Sequence, residues 1–259
     1  MTNSPSTLIA HCGAVEMTRE AMRGLKTIEP MGRWHKPIPH ASWADKIEER
    51  AKGFGLTIVA ERHAVQREHI LFSTFDFKAD ASSDIVVLPE GRLHSIGTRG
   101  SNDQTLPREV GVGQRILVCD NGAFGGALIS LRHKQTSGFN LDEELDTMFA
   151  KYVTQAADLE GEIQAAQKRG ISDTMAKGLI FDAFIRNEVM PLRFMKAVSR
   201  DFFDPKPTDE DTMTDLVEYP KTLWALHNGF TRAARGLKPD RRFEATAKLG
   251  GLLKLASLN

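Results

Sequence analysis

Leu56-Thr-Ile-Val-Ala-Glu-Arg-His-Ala-Val65 and Ile70-Leu-Phe-Ser-Thr-Phe-Asp-Phe77 decide the fold class. Leu56, Ile58 and Ala60 alternate with polar or smaller neighbours, and in the second run Ile70, Phe72 and Thr74 oppose Leu71, Phe75 and Phe77. A period of two sends successive side chains to opposite faces, which marks strands rather than helices. Working outward, Ile85-Val-Val-Leu88 reads as a strand that turns at Pro89-Glu-Gly91 and returns over Leu93 to Thr98. A loop fills the stretch from Gly100 to Gly113. Arg115-Ile-Leu-Val-Cys119 and Ala123 to Leu131 then flank Asn121-Gly122, the strongest hairpin signal in the chain, since a type I′ turn needs positive φ at both central residues.

Upstream, Ser42-Trp-Ala-Asp45 has the form of a capping box. Trp43, Ile47, Ala51 and Phe54 share one face of the helix it opens, and Gly53 and Gly55 stop it. Residues 1–41 carry Gly24, Pro30, Gly32, Pro37 and Pro39 and read as an irregular arm. Downstream the period is helical. Asn140-Leu-Asp-Glu143 opens a long helix whose Leu141, Leu145, Met148, Tyr152, Ala156, Leu159 and Ile163 hold one face as far as Gly170. Further helices are expected from Asp173 to Val189, from Pro191, from Pro220 through Trp224, His227 and Phe230 to Gly236, and over 241–256. Strands followed by helices give an α+β protein. The expected architecture is a curved antiparallel sheet with an N-terminal helix, followed by a mostly helical C-terminal half. It divides into the arm (1–41), an α+β core (42–203) and a helical region (204–259) packed on the core or on a neighbouring subunit.

The chain has 259 residues, 41% of them apolar and 26% charged, enough to bury a core and too apolar for wholesale disorder. No apolar run reaches the roughly 20 residues of a membrane span, and the N-terminus lacks the pattern of a secretory signal. Cys12 and Cys119 are the two cysteines, too few for a disulfide framework, so the expected compartment is the cytoplasm. Lysine and arginine balance aspartate and glutamate at 34 each, which argues against a strong nonspecific grip on duplex DNA by the whole chain. The distribution is uneven. Acids dominate 141–162 and 204–218, whereas 221–254 is basic. These are either solvated helix faces or surfaces for phosphate and for an acidic neighbour.

Gly111-Val-Gly113 and Gly122 to Gly126 lack the spacing and the lysine of a phosphate-binding loop, so no nucleotide cofactor is expected. No CxxC or HxxxH occurs, and no metal site is expected. No nucleophile, base and orienting group stand at a recognisable spacing, so no catalytic residue is assigned. The informative cluster lies between His94 and Thr136. Arg99, Arg108, Arg115, Arg132, His133 and Lys134 outnumber the nearby acids there, and cations on a strand edge can track a phosphate backbone. Ser101, Asn102, Asp103, Asp120 and Asn121 form a possible polar loop site, or simply Asx turns.

Three runs carry a resemblance: Ile96-Gly-Thr-Arg-Gly-Ser-Asn-Asp103, Arg115-Ile-Leu-Val-Cys-Asp-Asn-Gly-Ala-Phe-Gly-Gly126, and Arg132-His-Lys134. Together with Thr222-Leu-Trp-Ala-Leu-His-Asn-Gly-Phe-Thr231 they resemble a phage- and plasmid-type family of unknown function, over roughly Ser42 to the C-terminus. That family usually places a histidine before the loop aspartate, where this chain has Asn102, a group that cannot titrate. The outline also resembles single-strand annealing proteins. The family resemblance gives a phage and plasmid context and no mechanism. The basic cluster together with the annealing-type outline gives the leading expectation, an oligomeric, non-enzymatic DNA-metabolism accessory protein that binds single-stranded DNA through the basic edge, in a host cell cytoplasm. The alternative is a phage protein that binds a host factor for takeover or anti-defence. A third reading is an enzyme acting on nucleic acid with Asp103, Asp120 and His133 around a divalent ion.

Overall fold

A computed structural model describes residues 14–81, 83–88, 92–116, 125–133, 135, 136, 138, 140–205, 220–237, 241, 244, 245, 248 and 249. The α+β class holds. Six strands form one sheet in the order β1-β2-β3-β4-β5-β6, each beside its sequence neighbour. They are β1 (Val15–Glu16), β2 (Leu56–Gln66), β3 (Ile70–Ala79), β4 (Arg92–Ser101), β5 (Arg108–Ile116) and β6 (Gly125–His133). The helices are α1 (Arg19–Arg23), α2 (His40–Gly53), α3 (Leu141–Lys168), α4 (Asp173–Phe181), α5 (Met195–Phe203) and α6 (Leu223–Ala233). The described residues within 9–114 and 129–157 make one compact unit, and those within 115–128 and 158–259 make another. The boundary expected at 204 lies inside the second.

In the first unit the helices cover one face of the sheet. His63 pairs with Ser73, Ser73 with Thr98, and Phe75 with Ile96, so these side chains line up across three antiparallel strands. Trp43, Ala44 and Ile47 of α2 and Leu145, Met148, Phe149 and Tyr152 of α3 are buried with Phe75, Phe77 and Ile96. Phe54 stacks on Phe149 with ring centres 5.4 Å apart. Trp43, 1% exposed, donates its indole N–H to Thr98 Oγ1 at 3.0 Å, so its area is buried without leaving the N–H unpaired. Removing the ring costs about 3–5 kcal/mol on that account.

Several local expectations are revised. The helix α2 begins at His40, two residues before Ser42, with Pro39 at its cap and no side-chain cap. Asp45 instead pairs with Arg19 and Arg23. The arm is not wholly irregular, because β1 pairs with β2 and α1 is capped by the Thr18 hydroxyl. Arg19 reaches Asp45 and Glu48 of α2 and Glu61 of β2, which ties α1 to both. Ile85 to Leu88 is not a strand, and β4 pairs with β3 instead. The stretch taken for a loop from Gly100 holds the whole start of β5, leaving 102–107 as the connection. The Asn140 cap holds: its Oδ1 accepts the Glu143 N–H at 3.4 Å. The Asn121-Gly122 hairpin lies outside the described residues.

In the second unit α4 is capped by Ser172, and Thr222 caps α6. Ile171 N–H donates to Lys221 O at 2.8 Å and Leu223 N–H to Arg169 O at 2.9 Å, closing a short bridge around Gly170 and Thr222. Phe184, Val198, Phe202, Leu226 and Phe230 form the centre of its core. Among the described residues no helix is long and apolar enough to cross a membrane.

The β2–β3 turn uses Arg67 and Glu68 at φ 53° and 61°, a conformation that glycine or asparagine adopts at less cost. Replacing them as Arg67→Asn with Glu68→Gly is expected to raise stability by about 1–2 kcal/mol. The urea midpoint should rise at unchanged m-value, and an unchanged midpoint refutes the assignment.

Candidate functional site

The cationic cluster divides by strand parity. On β4 and β5, Thr98, Gly100 and Arg108 lie on the face that α2 covers, while Arg99 and Glu109 lie on the other. Arg99 is buried and pairs through Nε with Glu109 Oε2. The other oxygen of that carboxylate, Oε1, meets Arg132 Nε of β6 at 3.1 Å. Arg132 is 72% exposed, so the pair runs from the interior to the surface. The adjacent His133 is also exposed, with Nε2 3.4 Å from Glu144 Oε1.

Arg108 is the unexpected residue, 1% exposed among core side chains. Its guanidinium carbon lies 4.9 Å from the Trp43 ring centre. Gly100 makes room for it, since a Cβ there would fall 2.5 Å from Arg108 Cδ. Nη2 donates to Asn102 Oδ1 at 2.6 Å and to Ile38 O at 3.1 Å. Its Nε and Nη1 have no hydrogen-bond partner among the described residues. Burial alone pulls the group down to about 9, still charged at pH 7. His40 Nδ1 stands 3.2 Å from the same Nη2. Desolvation and then the Arg108 charge hold His40 down to about 3. The neutral ring donates Nε2–H to Glu68 O at 3.2 Å, leaving Nδ1 to face Arg108.

The polar loop is built mainly to hold itself. Ser101 is buried, and its hydroxyl accepts from Leu106 N–H at 2.8 Å. Asn102 N–H donates to His69 O at 2.8 Å. Asp103 accepts from Thr105 N–H at 3.0 Å and from its hydroxyl at 2.6 Å, an Asx turn that lowers the carboxyl pKa against the opposing effect of burial. Gln135, buried, donates to Ser101 O and accepts from Ile38 N–H, both at 2.6 Å.

Of the sequence candidates, the structure therefore brings Arg99 and Arg132 together through Glu109 and puts Arg108 beside Asn102. Arg99 and Arg108 do not lie on an exposed edge: Arg108 is buried on the face that α2 covers, and Arg99 is buried against Glu109 on the opposite face. The Arg115 side chain, Asp120, Asn121 and Lys134 lie outside the described residues. Sequence reasoning missed Glu109 and the His40–Trp43–Arg108 group. Among the described residues no three His, Cys, Asp or Glu side chains are placed to hold a metal ion. Ser73 hydroxyl and His63 Nδ1 are 2.9 Å apart and His63 Nε2 is 3.3 Å from Glu61, a nucleophile–base–acid sequence in outline. Both Ser73 and His63 are buried, and Arg19 already pairs with Glu61, so this is a cross-strand core contact rather than a reactive site. The Trp224–His227 pair of the resembling segment is likewise core, stacked 5.1 Å apart. No family model matches the chain, and neither does any curated protein or solved structure.

His40 and His94, lowered to about 3 and about 4, take up protons in the unfolded chain before the folded one. Their contribution is full above pH 6.5 and is lost as pH falls toward the folded values. Each loses up to about 1.4 kcal/mol per pH unit. Urea titrations of the His40→Gln variant should show a shallower fall in stability between pH 6 and 4 than the parent, and an identical slope refutes the neutral assignment of His40.

Proposed function

We propose that the protein is a non-enzymatic phage-type DNA-metabolism accessory protein that holds single-stranded nucleic acid along the β4–β6 side of its sheet, as annealing and recombination proteins do. The observation that carries the reading is the Glu109 carboxylate shared by a buried and an exposed arginine. Arg99 fixes Glu109, and Glu109 holds Arg132 through Nε while the Arg132 side chain stays 72% exposed. A cation held this way loses less side-chain freedom when it meets a phosphate oxygen. Buried Arg108 adds a positive charge that has no carboxylate partner among the described residues, and in a low-dielectric interior that charge reaches further than it would in water. Arg99 and Glu109 become positioning residues rather than contacts. The reading includes self-association, so that several such edges follow one strand.

Fluorescence anisotropy with a labelled oligothymidylate across salt concentrations tests it. Binding is expected to weaken with salt, with a log–log slope of about −0.7 per phosphate contact. Arg132→Glu should weaken binding about tenfold or more, as loss of a charge-assisted contact does. Lys78→Glu, at an exposed position of β3, should leave affinity unchanged. Absence of binding at low salt removes this reading and leaves the host-factor alternative in front. Binding that survives Arg132→Glu moves the strand to another surface.

A further inference from the structure

The helical unit contains a cavity of about 600 Å³ that the nucleic-acid reading does not use. It exists because α4 does not continue as a regular helix. Asp182–Arg186 forms a π turn, and the chain then reverses through Asn187 and Glu188, the latter at φ 45°. Val189 N–H returns to Ala183 O at 2.9 Å, and Pro191 leads into a tight turn at Leu192–Phe194. A single widened turn costs helix geometry, and a non-glycine residue at positive φ costs about 1 kcal/mol or more. Both occur within eight residues and both line the same space.

The lining has two kinds of group. Phe184, Val189, Met190 and Leu237 are buried and form an apolar floor. Ile185 and Leu192 stand at the mouth, 44% and 59% exposed. Among the described residues around them are three cations, Arg193, Arg241 and Lys248, and two carboxylates, Glu188 and Glu244. Arg241 is taken by Glu244 at 3.1 Å. Lys248 donates to a backbone oxygen, Glu188 O, at 3.2 Å. Arg193 lies over the Phe194 ring, 4.8 Å from its centre. Neither Lys248 nor Arg193 has a carboxylate partner among the described residues. The site thus combines an apolar bed of ligand-binding size with one more positive than negative charge among the described residues of its rim.

We infer that this cavity binds a small amphipathic monoanion, an aliphatic carboxylate whose chain lies on Phe184, Met190 and Leu237 and whose head group meets Arg193 and Lys248. Apolar area supplies the affinity and the cations select the head group. The two contributions can be separated, since an alcohol of the same chain length keeps the first and lacks the second.

Isothermal titration calorimetry on the full chain, with decanoate and decanol as probes below their aggregation limits, tests the inference. Decanoate is expected to bind at one site and more tightly than decanol by about tenfold, the worth of one charge-assisted contact. Arg193→Gln should bring decanoate down to the decanol level without changing decanol. Leu192→Asp, at an exposed position that the core does not need, should weaken both probes, and thermal melts of the two variants should match the parent. Equal affinity for the two probes overturns the head-group assignment, and saturable binding untouched by Leu192→Asp overturns the location. No saturable heat with either probe overturns the site altogether. Oligothymidylate binding should be the same in both variants and the parent, which keeps this outcome separate from that of the nucleic-acid reading.

Discussion

The contact between the Arg108 guanidinium and the Trp43 indole governs how α2 lies on the sheet. A buried cation needs acceptors and polarisable surface, and it draws them from four separate pieces of chain. The indole comes from α2, Asn102 from the β4–β5 connection, the Ile38 carbonyl from the segment before α2, and the space itself from Gly100 on the neighbouring strand. Thr98 completes the arrangement by accepting from Trp43 and donating to Glu109 O at 2.8 Å. Glu109 in turn positions Arg132 at the surface. The outward cation and the inward one are therefore fixed by adjacent residues of a single strand, Arg108 and Glu109, pointing to opposite faces.

The core histidines follow the same logic without the charge. His94 donates Nε2–H to Val86 O at 3.0 Å and accepts from the Tyr152 hydroxyl at 2.6 Å, so strand, loop and α3 are joined by one neutral ring. His63 does similar work between β2 and β3. Burial keeps such rings uncharged, and directed hydrogen bonds then fix register where apolar contacts alone would let a strand slide.

Long periodic elements were legible in the sequence and short irregular ones were not. Leu145, Met148, Tyr152, Ala156, Leu159 and Ile163 are all buried, because a six-turn stripe has one solution. The start of β5 escaped notice because Gly111 and Gly113 weaken the strand pattern. The β2–β3 turn carries no glycine or asparagine to announce it. Ile85 to Leu88 has strand-forming residues, yet the place beside β3 belongs to β4, and Val87 is left 72% exposed. At the site, arginines 99, 108 and 132 look alike in one dimension. Only register separates them, and the available hints were Glu109 next to Arg108 and a glycine in the strand opposite. The groove of the helical unit left no trace in the pattern, since it arises from a π turn that hydrophobic spacing does not reveal.

The consecutive order of the six strands has a consequence for how the chain is made. Each strand after β2 finds its partner in the strand synthesised just before it, so none of β2 to β5 has to wait exposed for a distant one to arrive. From β2 onward each strand joins the one before it in the sequence, whereas β1 must wait for α1 and α2 to pass before β2 arrives. A ribosome-bound chain can therefore zip this sheet from β2 onward as it emerges. The covering helix α2 is already present when β2 appears, and only α3 must come later to close the same face. The edge exposed on the growing side is thereby always the latest strand, while on the other side β1 pairs with Ala64 and Val65 of β2.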